Sequence, residues 1–188
     1  MNKKVNKWKI YVFADFHGMP VPELMGILKS ELLRGKEIFS FEYNPDWLKS
    51  EYVTVLDPEL QLYKGIQYLN DTDKANFGMF LDSSPDRWGR LLMRRREAAL
   101  ARIEKREERN LFETDYLMGV FDEHRLGGLR FKESMEGAFQ NDDSKMASPP
   151  RTSIRELEEI SLRLEEENIS NDEEYLKWLN MLMAPGSS

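Results

Sequence analysis

The sequence predicts an α+β protein: a small, curved, antiparallel sheet with a packed helix towards the N-terminal end, then a helical segment. Short aromatic and β-branched runs, the best of them alternating with a period of two, supply the strands. A helix opened at a proline, and two capping boxes ahead of apolar stripes near the C-terminal end, supply the rest.

Trp8-Lys9-Ile10-Tyr11-Val12-Phe13 reads as the first strand. Leu24-Met25-Gly26-Ile27-Leu28 reads as the second, after a turn rich in Gly18, Pro20 and Pro22. In the segment 37–43, Phe39, Phe41 and Tyr43 alternate with Ile38, Ser40 and Glu42, which turns an aromatic face inward. Asn44-Pro45-Asp46 ends that strand and opens a helical turn carrying Trp47 and Leu48.

Asp82-Ser83-Ser84-Pro85-Asp86 is a helix start, with Ser84 as the expected cap and Pro85 at the first helical position. Trp88, Leu91, Leu92, Ala98, Ala99 and Ile103 recur near helical spacing, with Trp88 expected in the core, and Arg94-Arg95-Arg96 interrupts the stripe. Thr114–Val120 predicts a shorter helix, Gly127-Gly128 a turn, and Leu129-Arg130-Phe131 a brief strand. Residues 134–150 are polar and turn-rich, and read as a mobile linker without an apolar anchor. Ser153 with Glu156, and Ser170 with Glu173, then cap two helices that suit an αα-hairpin. The second, through Tyr175, Leu176, Leu179, Leu182 and Met183, is expected to expose an apolar strip open to self-association.

The 188 residues can bury a real core, and 40% hydrophobic with 11% aromatic content excludes wholesale disorder. With 32% charged residues and no long apolar run, no membrane role is expected. The absence of Cys excludes disulfide and thiolate chemistry and fits a cytoplasmic protein. The net charge of −7 argues against a dedicated nucleic-acid binder, yet it is uneven: −2 over residues 1–85, +4 over 86–109 and −9 over 110–188. The basic stretch is a solvated helix face or a docking site for an acidic partner.

Candidate chemistry is sparse. His17 and His124 are the only histidines, and neither has metal-ligand company in the sequence. Glu42, Asp46 and Asp57 could gather near a strand end as an acid–base set, although solvated carboxylates explain them equally. Arg87, Arg90, Arg94, Arg95 and Arg96 could bind phosphate or nucleic acid, but only Trp88 is available to stack. No triad, metal set or paired carboxylates recommend an autonomous hydrolase. The last residues, Ala184-Pro185-Gly186-Ser187-Ser188, follow a helix and read as half of an anion-binding loop. The expectation is therefore the front part of a larger protein.

Ser84-Pro85-Asp86-Arg87-Trp88-Gly89-Arg90-Leu91-Leu92 resembles the HipA family of serine/threonine-kinase-like toxins. Phe39–Tyr43, Thr114–Val120 and Arg125–Phe131 resemble the N-terminal subdomain of that family, and Met183–Ser188 is similar to the lead-in to its phosphate-binding loop. The resemblance implies a kinase toxin of a type II toxin–antitoxin system, with a kinase-like N-lobe. It also implies neutralisation by a HipB-like DNA-binding antitoxin, hence contact with DNA only indirectly, and a protein substrate such as an aminoacyl-tRNA synthetase. Ser187 and Ser188 would open the loop that holds ATP phosphates, with magnesium, in the complete family protein. The loop's glycines and lysine, the catalytic Asp with its Asn partner, and the magnesium-binding Asp have no counterpart in these residues, so the chain alone is expected to have no cofactor and no kinase activity. The division it implies is an N-terminal subdomain at 1–133, a linker at 134–150 and the helical start of the kinase core at 151–188. The alternative is a stand-alone binding module, or a split-gene subunit that neutralises a separate C-terminal kinase half.

Overall fold

The computed structural model describes residues 7–71, 73–120, 122, 125, 127–140, 162 and 172–182. It has an α+β fold built on one five-stranded antiparallel sheet. The strands are β1 (Lys7–Ala14), β2 (Glu23–Leu33), β3 (Lys36–Tyr43), β4 (Ile66–Tyr68) and β5 (Leu129–Lys132). Their spatial order is β4-β3-β2-β1-β5, so the first four form a meander and the fifth returns to the far edge. The helices are α1 (Gly78–Asp82), α2 (Arg87–Ile103), α3 (Glu113–Met118) and α4 (Asp172–Leu182), with a 3-10 turn at Trp47–Lys49.

The contacts group the chain into two compact units, Met1–Pro85 with Phe112–Asp142, and Asp86–Leu111 with Asp143–Ser188. These units interleave along the chain, unlike the serial division at 133 and 150 drawn from the sequence.

In the first unit the period-two pattern fixes which face is inside. Phe39, Phe41 and Tyr43 are buried, while Ile38 is exposed and Glu42 half-buried. They pack with Ile10, Val12, Met25, Leu28 and Phe131 of the other strands, Phe80 of α1 and Leu117 and Met118 of α3. The rings of Phe41 and Phe80 lie 5.6 Å apart, and those of Phe80 and Phe131 6.2 Å apart, which links three elements through aromatic contact. A bulge between Val12 and Phe13 shifts the β1–β2 register, pairing Val12 with Gly26 but Phe13 with Leu24. Gly26 is required there: a methyl group on it would lie 2.5 Å from the Glu42 carbonyl oxygen and 2.5 Å from the Phe41 ring.

In the second unit α2 packs against α4. The helix start differs from the expected one. Asp86, not Ser84, is the cap, and its carboxylate accepts from Gly89 N at 2.8 Å. Ser84 instead turns its hydroxyl back to donate to Phe80 O at 2.8 Å. Leu92, Ala99 and Ala101 are buried along α2, whereas Ile103 is exposed and Trp88 only half-buried. Trp88 therefore does not fill the core position expected of it. It belongs to the second unit.

Leu179 of α4 is fully buried, so the open apolar strip expected on this helix is already occupied at its centre. Residues 134–140 are also anchored, contrary to their polar composition. Phe139 packs edge-on against Phe13 at 5.4 Å, and Gln140 N donates to Phe131 O at 2.8 Å. The expected segment 141–150, the capping boxes at Ser153 and Ser170, and the αα-hairpin lie outside the described residues.

Candidate functional site

Among the described residues, a polar cluster joins the end of β1, the residues after α3 and the start of β5. Asp15 leaves β1 with its N–H donating to Gly128 O at 2.7 Å. Gly128 must lack a side chain, since a methyl group would lie 2.4 Å from the Phe16 ring. This close approach aims Arg130 across the junction. Its Nε donates to Asp122 Oδ2 at 2.7 Å, a second nitrogen donates to the same oxygen, and a third donates to Asp15 Oδ2 at 3.2 Å. The guanidinium also stacks 3.7 Å from the Phe139 ring centre.

Arg125 lies in the same cluster with only 8% of its surface exposed. It donates to Ser83 O at 2.7 Å and Val120 O at 3.2 Å, and covers the Phe131 ring at 4.4 Å. Those two carbonyls lie at the ends of α1 and α3, where helices leave acceptors unsatisfied. Arg125 is therefore a clasp between two helix ends. Burial pushes its guanidinium down to about 10, with Asp122 opposing the shift, so it stays a cation at neutral pH and cannot act as a base. Its Nε and the Asp122 Oδ1 are buried without a partner among the described residues.

A second buried network lies under β3. Asp57 is almost wholly buried and accepts from Glu59 N at 2.9 Å and Met79 N at 3.0 Å, which caps α1. Among the described residues, neither the nearby Tyr43 hydroxyl nor the Trp47 indole N–H has a partner. Burial, and then the Asp57 charge, push the Tyr43 phenol up to about 12. It remains a neutral phenol throughout the physiological range.

The sequence-derived candidates do not assemble into one centre. Ser187, Ser188 and His124 lie outside the described residues, and His17 is exposed. Glu42 pairs with Lys29 at 3.5 Å, Asp46 with Lys49 at 3.4 Å, and Asp57 caps a helix, so the three carboxylates serve separate bonds. Arg87 and Arg94 are exposed on α2, while Arg90, Arg95 and Arg96 are half-buried and burial lowers the Arg96 pKa. Among the described residues no group of three or more His, Cys, Asp or Glu side chains is placed to hold a metal. Nor, among them, is any helix long and apolar enough to cross a membrane.

Sequence reasoning missed Glu97. It sits on the buried side of α2 and accepts from Arg106 at 2.5 and 3.2 Å and from Arg109 N at 3.0 Å. The Arg106 hydrogen bonds hold its carboxyl below the usual range. A carboxylate on an apolar stripe was the available signal. The chain matches no protein-family model, no curated protein and no solved structure.

Proposed function

We propose that this chain is the N-terminal, structural and regulatory portion of a HipA-like serine/threonine kinase toxin of a type II toxin–antitoxin system, not catalytic by itself. One observation carries the proposal. Three of the segments that resemble the family, Phe39–Tyr43, Thr114–Val120 and Arg125–Phe131, are far apart in sequence yet meet in a single core through Phe41, Leu117 and Phe131. That placement in one structural unit is what a shared N-terminal subdomain requires.

The polar groups of that unit support a scaffolding role. Arg125, Asp57 and Arg130 are bonded to helix ends and neighbouring loops of their own chain. ATP and magnesium would belong to the complete family protein, where Ser187 and Ser188 would open the phosphate loop. Its partners would be a HipB-like antitoxin and, as substrate, an aminoacyl-tRNA synthetase in the cytoplasm.

The test supplies this chain in trans to a HipA-family kinase core from which the N-terminal portion has been deleted. Co-purification with that core and recovery of ATP-dependent phosphorylation are expected, with no phosphate transfer by the chain alone. Phosphorylation by the chain alone, or failure to associate with the core, overturns the proposal.

A further inference from the structure

We propose that β4 is a self-pairing edge, through which two copies of this chain join their sheets about a two-fold axis. β4 is the outermost strand beside β3, with Phe41 opposite Gln67. Leu69 N donates to Phe39 O at 3.3 Å, so positions 67 and 69 turn towards β3. Hydrogen-bonding direction alternates along an antiparallel strand, and the N–H and C=O groups of Ile66 and Tyr68 therefore point away from the sheet. Neither residue's outward groups have a partner among the described residues. The opposite edge is not equally open, because Gln140 N already bonds to Phe131 O of β5.

The side chains match this edge. Ile66 and Tyr68 are 46% and 58% exposed on one face, while Gln67 is buried on the other. The Gln67 amide accepts from Gln61 N and donates to Gln61 O, both at 2.8 Å, which fixes the strand's facing. Natural sheet edges are blunted by charge, proline or very short strands; β4 has no charge or proline between Lys64 and Asp71, and its three residues confine the open edge to Ile66 and Tyr68.

The occupant follows from register. When Ile66-Gln67-Tyr68 pairs antiparallel with a second copy centred on Gln67, Ile66 of each copy stands opposite Tyr68 of the other. Those are the residues with free outward groups, so each Ile66–Tyr68 pair exchanges two N–H···O=C bonds. Each also forms a β-branched–aromatic cross-strand pair, a favourable combination. Lys64 precedes the strand and Asp71 follows it, so the antiparallel copy brings the cationic end of one strand to the anionic end of the other. An unrelated peptide would match the hydrogen bonds but has no reason to match all three features.

The full chain is tested by sedimentation over a concentration series and by directed cross-linking. The native chain has no Cys, so introduced thiols are unique. Residues in a hydrogen-bonded pair have Cα atoms about 5.5 Å apart, within disulfide range. Mixing Ile66→Cys chains with Tyr68→Cys chains should give a mixed disulfide in clear excess over either self-linked species. Ile66→Lys should weaken the dimer at least tenfold without changing the urea midpoint measured at concentrations where the chain is monomeric. Tyr68→Pro, which deletes an outward N–H and the cross-strand ring but no bond to β3, should do the same. A monomer up to the solubility limit overturns the proposal. So does a dimer that tolerates Ile66→Lys and Tyr68→Pro and gives no excess of mixed disulfide.

Discussion

Glu37 and Thr114, 77 residues apart, are joined by two hydrogen bonds: the carboxylate of Glu37 in β3 accepts from Thr114 N at 3.1 Å and from Thr114 Oγ1 at 2.5 Å. The same carboxylate accepts from Ser30 Oγ at 2.7 Å, so one side chain ties β2 and β3 to the start of α3. Thr114 is buried, and Thr114→Val keeps its shape while removing one of the two hydroxyl donors to Glu37 Oε1, which retains Ser30 Oγ. The variant should lose about 1.5–3 kcal/mol, the worth of a hydrogen bond to a charged group. The measurement is a urea midpoint at constant m-value; an unchanged midpoint would show that α3 docks without this bond.

Tyr43→Phe should be neutral or slightly stabilising at neutral pH, because the hydroxyl it removes is buried without a partner among the described residues. Its effect appears in alkali. Burial, and then the Asp57 charge, push the folded phenol up to about 12 from the ordinary 10.0, so the unfolded chain releases its proton first. Stability should be intact below pH about 10 and fall as pH rises towards 12. Unfolding free energies between those limits should show the decline in wild type and lack this component in Tyr43→Phe.

Arg125→Ala should be among the most damaging substitutions in the first unit. It strands the carbonyls of Ser83 and Val120, while Asp122 keeps its bonds to Arg130. Leaving a buried acceptor unsatisfied costs about 1–3 kcal/mol for each group. Arg125→Lys should recover only part, since one ammonium cannot reproduce the spread of the guanidinium. Thermal melting of the two variants beside wild type checks both statements, and equal Tm values for all three would refute the clasp.

Glu97 gives the second unit an acid sensitivity. Its carboxyl is held below the ordinary value by Arg106, so its contribution is present above the unfolded pKa and lost as pH falls through the folded one. Glu97→Gln should lower stability at neutral pH and flatten the acid-side decline. Hydrogen exchange of α2 amides, read from neutral to acidic pH, should show a gap between variant and wild type that narrows on acidification.

Much of the sheet was legible because its signals are local. Phe39, Phe41 and Tyr43 declare an inward face through alternation alone, and Pro45 marks where the strand must stop. α2 was legible as a helix but not in its partnership. Periodicity marks a buried stripe without saying what lies over it, and the packing of α2 against α4 has no local signal in the sequence. Arg125 and Glu97 were illegible for a related reason. A charged side chain is expected outside until a distant group compensates it, and here those groups are the Ser83 carbonyl and the Arg106 guanidinium. The candidate site stayed dark because its members, Asp15 and Arg130, stand 115 positions apart and carry no shared motif.

The return of β5 to pair with β1 also sets a timetable for synthesis. The β1–β4 meander can form as soon as its own residues have left the ribosome, since each strand pairs with the one before it. Asp15 and Arg130 are 115 residues apart, which at about 5–20 residues per second is a delay of roughly 6–23 s. During that interval the growing polypeptide carries β1 as a bare margin, and any nearby strand can compete for it. Of the five strands described, the last to be made is thus the one that seals the first.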